Sequence, residues 1–235
     1  MSYLATISWL EEGPFALNRW AALFEDLPLF IESFFYTIGL SIGALIFAFI
    51  LGTILGVASS SKSKVLGILI RIFVEIFQNT PLLIQVFFVY YGLPMIGIVL
   101  DIYPIGILCV GLYHSAYIAE VIRSGIGSIA KGQLEAAYSQ GFSYWEAMWH
   151  IVLPQAFRII LPPMTNQVVN LIKNTSTIAI ISGADIMFSA NSWSSTNLHY
   201  VPAFAFAAFL YFILCFPLTR LANRMEEKNK KAFSR

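Results

Sequence analysis

Asn166, Asn170 and Asn174 fall four residues apart, with Gln167 and Lys173 beside them and Thr175, Ser176 and Thr177 directly after. Amides, an ammonium group and hydroxyls in one stripe donate and accept hydrogen bonds along a helix face. That is chemistry for holding a polar solute or for joining two helices. A second set, Tyr113, His114, Ser115 and Tyr117 followed by Glu120, contains a titratable ring. His114 reads either as a ligand contact or as a buried histidine satisfied by a neighbouring helix. Gln78, Asn79, Thr80 and Gln85 flank Pro81 and form a candidate gate, because a proline leaves a backbone acceptor unpaired and kinks or starts a helix. Arg71 and Glu75 are spaced to pair on one helix face, as a structural ion pair near the inner gate rather than as substrate contacts. Metal and acid–base chemistry find little support: His114, His150 and His199 fall at different depths, and no spacing of His, Cys and Glu resembles a metal site.

The elements that must position these groups are set by composition. The chain of 235 residues is 58% hydrophobic and 11% charged, with a mean hydropathy of +0.73, too apolar for a soluble domain of this size. It reads as an all-α integral membrane protein. Cys109 and Cys215 both lie in apolar runs, so no disulfide framework is implied. The first charges are Glu11 and Glu12, and no cleavable leader is expected. Leu17, Trp20, Ala21, Phe24 and Leu27 recur at helical spacing opposite Arg19, Glu25 and Asp26, as in an amphipathic helix at a membrane surface; an irregular tail is the alternative.

Crossing the hydrocarbon layer takes roughly 20 apolar residues per helix. Five windows qualify: Ser33 to Ser61, Pro81 to Leu100, Tyr103 to Val121, Ile159 to Ser182 with Lys173 inside it, and Val201 to Leu218, interrupted late by Pro217. In the first, Ala44, Ala48, Gly52, Gly56 and Ser60 fall four apart, a ladder that lets another helix approach closely. Lys62, Lys64, Arg71, Arg123, Lys131, Arg158 and the basic end from Arg220 to Arg235 mark the cytoplasmic side. Glu11, Glu12, Glu25, Asp26, Glu32, Asp101 and Asp185 fall on the other. The expected topology is five spans with the N-terminus out and the C-terminus in. Residues 1–32 form an extracytoplasmic or interfacial segment, 33–222 the transmembrane domain with a cytoplasmic loop at 124–157, and 223–235 a basic tail.

That loop carries a polar, helix-forming patch, EAAYSQGFSYWEAMWHIVLP, from Glu135 to Pro154. Gly141 sits where a left-handed cap would end a first short helix, Ser143 and Glu146 make a capping box for a second, and Pro154 closes it. A structured patch on a short inside loop suits passing force to a soluble partner. No G-x-x-x-x-G-K-[ST] phosphate loop is present, so the chain would have to borrow its energy.

Glu135, Ala136, Ala137, Gly141, Ile151, Leu153 and Pro154 stand in the pattern EAA, three residues, G, nine residues, I-x-LP, which resembles the signature loop of ABC importer permeases. NTPLLIQ (Asn79 to Gln85), AYIAEVIRSGIGSIAKGQLEAA (Ala116 to Ala137), LPQAFRIILPP (Leu153 to Pro163) and KNTS (Lys173 to Ser176) are similar to one branch, the polar amino-acid permeases related to the histidine and glutamine importers. The resemblance implies a type I importer fold in a bacterial inner membrane. It also implies a dimer of cytoplasmic ATPase subunits that bind ATP and Mg, a second permease subunit that is a copy or a homologous sister, and an extracytoplasmic solute-binding protein. No cofactor is expected on this chain and no nucleic-acid partner. Gln85, Tyr113, His114, Asn166, Asn170, Lys173, Asn174 and Thr175 are then the candidate amino-acid pathway, with Gln78, Asn79, Thr80 and Pro81 as the candidate gate. A channel or carrier that works without an ATPase is the alternative, and a membrane-embedded enzyme a more remote one.

Overall fold

The computed structural model describes residues 13–60 and 63–233, with side chains to Glu227. Glu11, Glu12, Ser61, Lys62 and Arg235 lie outside the described residues, as do the side chains of Lys228, Lys230 and Lys231. Among the described residues the chain is helical and has no strand. The helices are α1 (Leu17–Glu25), α2 (Leu27–Ser59), α3 (Lys64–Asn79), α4 (Leu82–Met95), α5 (Ile102–Gly127), α6 (Lys131–Ser139) and α7 (Tyr144–Ala147). A π-helical turn (Met148–Val152) then leads into α8 (Leu153–Asn174), a 3-10 turn (Thr175–Ile181), α9 (Ile186–Asn197) and α10 (Tyr200–Phe233).

Helices α2 and α5 form the central pair. The small-residue ladder buries Ala44, Ala48, Gly52 and Gly56 on one side of α2. A Cβ added at Gly52 would lie 2.8 Å from the Ser115 carbonyl oxygen, and one at Gly56 2.8 Å from that of Ala119. The absence of side chains at these two positions is therefore what lets backbone meet backbone. Around the seam, Leu40, Val86, Val110, Ile118, Leu171 and Ile178 close a core that joins α2, α4, α5, α8 and the 3-10 turn.

Three described helices are long and apolar enough to cross a membrane alone: α2, α5 and α10. The windows expected at 33–61, 103–121 and 201–218 fall on these. Pro217 does not interrupt the last one; α10 continues through it. The window expected at 81–100 is shorter as a helix, because α4 ends at Met95 and Gly97 takes φ +83. It qualifies only together with α3, and the pair is bent by 102°. The bend exceeds an ordinary proline kink because Thr80 and Pro81 both leave the helical region, at ψ 137 and ψ 134. The fourth window has no single apolar helix: α8 carries Arg158, Pro162, Pro163 and Lys173, and it tightens into the 3-10 turn after Asn174.

At the far end from α6 and α7, Leu23, Phe30, Ile186, Ala190, Trp193, Ala203 and Ala207 form a second core between α1, α2, α9 and α10. Leu17 and Phe24 of the expected amphipathic face of α1 are exposed, whereas Leu23 is the residue buried inward.

Candidate functional site

The loop at 124–157 folds into a bent helix pair. Helix α6 ends in a Schellman motif: Phe142 N–H donates to the Ala137 carbonyl (3.1 Å) and Gly141 N–H to that of Tyr138 (3.0 Å), with Gly141 at φ +87. Ser143 then opens α7 with a capping box. Glu146 N–H donates to Ser143 Oγ (3.4 Å), and Ser143 N–H donates to Glu146 Oε2 (2.8 Å). The Ser143 N–H and hydroxyl, both donating to the Glu146 carboxylate, hold its pKa below the usual range. Pro154 does not close the second helix as expected. The chain instead runs without a break through the π turn into α8, with Pro154 at the second residue of that helix.

Glu135, Ala136 and Gly141 project from this elbow and Pro154 is exposed, with Ile151 and Leu153 half-buried. Ala137 is buried at 1% exposure and packs inside the elbow, so of the two alanines only Ala136 offers a surface to a partner. Trp145 and Trp149 stand 75% and 71% exposed on the second arm.

The amide stripe divides between two faces. His114 is 1% exposed, with Nδ1 3.3 Å from Gln167 Oε1 and Nε2 3.1 Å from Asn174 Nδ2. An amide nitrogen only donates, so Nε2 accepts from Asn174 and Nδ1 carries the proton given to Gln167. These three side chains bind α5 to α8. Thr175 is fully buried, its hydroxyl donating to the Ile172 carbonyl at 2.7 Å. Tyr113 is half-buried and shares a hydrogen bond with Tyr117 (3.1 Å). Asn166, Asn170 and Lys173 instead point outward, and their side chains make no hydrogen bond among the described residues. The expected pathway residues are thus not brought to one place.

At the α3–α4 bend, Gln85 does the joining. Its Nε2 lies 3.0 Å from the Phe77 carbonyl, 3.1 Å from the Thr80 carbonyl and 2.8 Å from Thr80 Oγ1, satisfying acceptors that the end of α3 leaves open. Gln78 reaches the Ala116 carbonyl of α5 at 3.4 Å, and Asn79 and Thr80 turn back onto Glu75 and Ile76 of their own helix. Gln85 therefore belongs with the bend rather than with the amide stripe.

Sequence reasoning missed α9 and its ties. Asp185, expected among the outer loop charges, is fully buried: Oδ1 accepts from Phe188 N–H (3.0 Å) and Oδ2 from the Tyr211 hydroxyl (3.0 Å). Trp193 Nε1 donates to Asp26 (2.7 Å) and Ile186 N–H to Thr37 Oγ1 (3.1 Å). An aspartate directly before Ile186 was the available cue, since Asp is a preferred N-cap.

Residues 48–231 match the family model described as binding-protein-dependent transport system inner membrane component. The chain belongs to this family. It is 40% identical over 211 residues to a probable glutamine ABC transporter permease protein of Bacillus subtilis (strain 168), covering 90% of this chain and 98% of the relative. An L-cystine transport system permease protein of the same organism is 35% identical, with 86% of each chain covered. Among solved structures, an amino acid ABC transporter with histidines superposes with a TM-score of 0.83 at 28% identity, over 89% of this chain and 98% of that one. The MetNI methionine ABC transporter, inward facing, shares the fold at a TM-score of 0.69 and 14% identity, over 86% of this chain and 98% of that one. The protein is accordingly the permease subunit of an importer in the inner membrane, a transport component and not an enzyme.

Proposed function

We propose that this permease passes a polar amino acid, delivered by a solute-binding protein, into the cytoplasm by alternating access. Two ATPase subunits binding ATP and Mg drive it, and a second permease subunit completes the pathway. The observation that carries this reading is the elbow: Glu135 and Ala136 project from a helix whose C-terminal end is locked by the Schellman turn at Gly141, on a chain with no phosphate loop of its own. Glu135 pairs with a basic group on the ATPase, and Ala136 and Gly141 let that surface approach. The glutamine and cystine relatives support the substrate class.

The outward stripe of Asn166, Asn170 and Lys173 supports a polar pathway beside α8. Uncompensated amides and an ammonium facing acyl chains are costly, whereas facing water or a second subunit they are satisfied. The α3–α4 bend at Asn79, Thr80, Pro81 and Gln85 is the gate. In this arrangement α2, the α3–α4 pair, α5, α8 with its 3-10 turn, and α10 are the five crossings, with the N-terminus out and the C-terminus in.

A Glu135→Lys permease assembled with its ATPase and binding protein in vesicles tests the coupling. Loss of ATP-driven uptake and of ATPase co-purification, with the membrane fold retained, is expected. Uptake equal to wild type would overturn the coupling role, and wild-type uptake without any ATPase would overturn the ATP-driven reading.

A further inference from the structure

Between α2, α5 and α8, at the end of the bundle next to the elbow, lies a groove of about 560 Å³, a volume within the roughly 300–1,000 Å³ of small-molecule sites. None of its lining residues is charged. Helix α2 contributes Phe49, Thr53 and Val57, α5 contributes Ile122 and Ile126, and α8 lines one wall with Phe157, Leu161 and Met164. Ile160 forms part of the floor, and Gly125 of α5 makes room for it, since a Cβ there would meet Ile160 Cγ1. The lining hydroxyls are those of Thr53 and Thr165, and Thr165 already donates to the Leu161 carbonyl of its own helix at 3.0 Å. A buried water needs two to four polar partners, so the groove suits an apolar occupant and not water.

The helix phases show what covers it. On α2, Ile42, Ile46, Ile50 and Ile54 form an exposed stripe, each more than half accessible. Phe49, Thr53 and Val57 follow the same period of four and lie between this stripe and the buried seam of Ala48, Gly52 and Gly56, so the groove opens onto the isoleucines. In an inner-membrane component such a stripe meets acyl chains. On α8 the wall residues Phe157, Leu161 and Met164 each precede a residue of the outward polar stripe, Asn166, Asn170 and Lys173, by nine positions. Nine residues are two and a half turns, which puts the groove wall about 180° from the amides and the ammonium. The groove therefore lies on the side of α8 turned away from its polar face. Its length fits as well: from Leu153 to Val168 the wall runs about 22 Å at about 1.5 Å per residue, enough for a chain that spans one leaflet, half of a hydrocarbon core roughly 30 Å thick.

We propose that this groove is a lipid site, in which one acyl chain of a bilayer phospholipid is wedged between α2 and α8 over the Gly125–Ile160 contact. The site is separate from the polar pathway proposed above and does not depend on which solute is carried. The chain differs from ordinary boundary lipid on the isoleucine stripe because three helices surround it. Its contacts on α2, α5 and α8 must all be broken before it leaves, whereas lipid on the stripe touches one helix face.

The test uses the complete importer, ATPase subunits included, in vesicles of phosphatidylcholine that carry a photoactivatable diazirine on one acyl chain. Illumination is done in the bilayer and again after extraction and prolonged washing in lipid-free detergent, and labelled residues are mapped by mass spectrometry. In the bilayer both the groove residues Val57, Phe157, Leu161 and Met164 and the stripe residues Ile42 to Ile54 should be labelled. After washing, retention in the groove should exceed retention on the stripe by at least about tenfold, equivalent to about 1.4 kcal/mol of tighter holding. Loss of both labels together would make the groove boundary surface only. Groove residues unlabelled even in the bilayer would mean that protein, such as the second permease subunit, covers them. Either result overturns the site. In Thr53→Trp, where the indole fills the groove, the retained label should disappear while stripe labelling in the bilayer and co-purification of the ATPase persist. Groove label retained as in wild type would also overturn the proposal, and the wild-type wash comparison decides it alone where the variant fails to assemble.

Discussion

Helices α2 and α8 both pack on α5, and they do so by opposite means. Against α2 the contact is backbone to backbone, with Gly52 and Gly56 lying under the carbonyls of Ser115 and Ala119. Against α8 a few directional bonds hold, with His114 between Gln167 and Asn174. The first contact has no room to slide, while the second can be exchanged bond by bond and leaves a polar face of α8 uncovered. The difference separates a rigid frame from an element able to change neighbours, and several substitutions test it.

The largest effect is expected at the frame. In Gly52→Leu the new Cβ would meet Ile118 Cβ at 2.7 Å as well as the Ser115 carbonyl, so backbone must move. Overpacking costs about 1–3 kcal/mol or more, and a steep loss of thermal stability in detergent should follow. Gly92→Ala, at a position with nothing within 4 Å, should melt like wild type. Equal melting of the two variants would erase the distinction.

His114→Ala comes next. It leaves two half-buried amides without their partner, at up to about 1–3 kcal/mol, and should lower the melting temperature while leaving the α2 seam protected in hydrogen exchange. If seam and α8 loosen together, the two contacts form one unit. Asn170→Ala is expected to change stability by less than about 0.5 kcal/mol, as exposed sites do, and to reduce uptake. Unchanged uptake would remove Asn170 from the pathway.

The smallest effect lies in the elbow. The Glu146 carboxylate is held below its usual pKa by the Ser143 N–H and hydroxyl. A group whose folded pKa is depressed adds stability above its unfolded pKa and loses it as pH falls through the folded value. Hydrogen-exchange protection of α7 should therefore stay flat at neutral pH and decline only on acidification below the ordinary carboxylate range. A decline near neutrality would point to a different anchor.

What could be read from the sequence was mostly local. The Schellman turn at Gly141 and the capping box at Ser143 and Glu146 are specified within a few residues, and both are present. The ladder of Ala44, Ala48, Gly52 and Gly56 announced close helix packing because a small residue every fourth position leaves a continuous groove. The ties made by α9 were not legible, since Ile186 to Thr37 and Trp193 to Asp26 join residues 149 and 167 positions apart. Nor could periodicity alone divide the amides of α8. Asn170 and Asn174 sit a single turn apart, yet one is turned outward and the other lies under His114.

The π-helical turn at Met148–Val152 takes on a further meaning from its position just ahead of α8. A π turn winds one residue more than an α turn before its hydrogen bond closes, so it fixes the angular phase of everything downstream. The residues of α8 are presented in the phase this turn sets, so regularising it would change which of Asn170, Lys173 and Asn174 face outward and which face the imidazole. The rotational setting of α8 is thus stored in the elbow, and a torque applied there is converted directly into which side chains the helix shows to its surroundings.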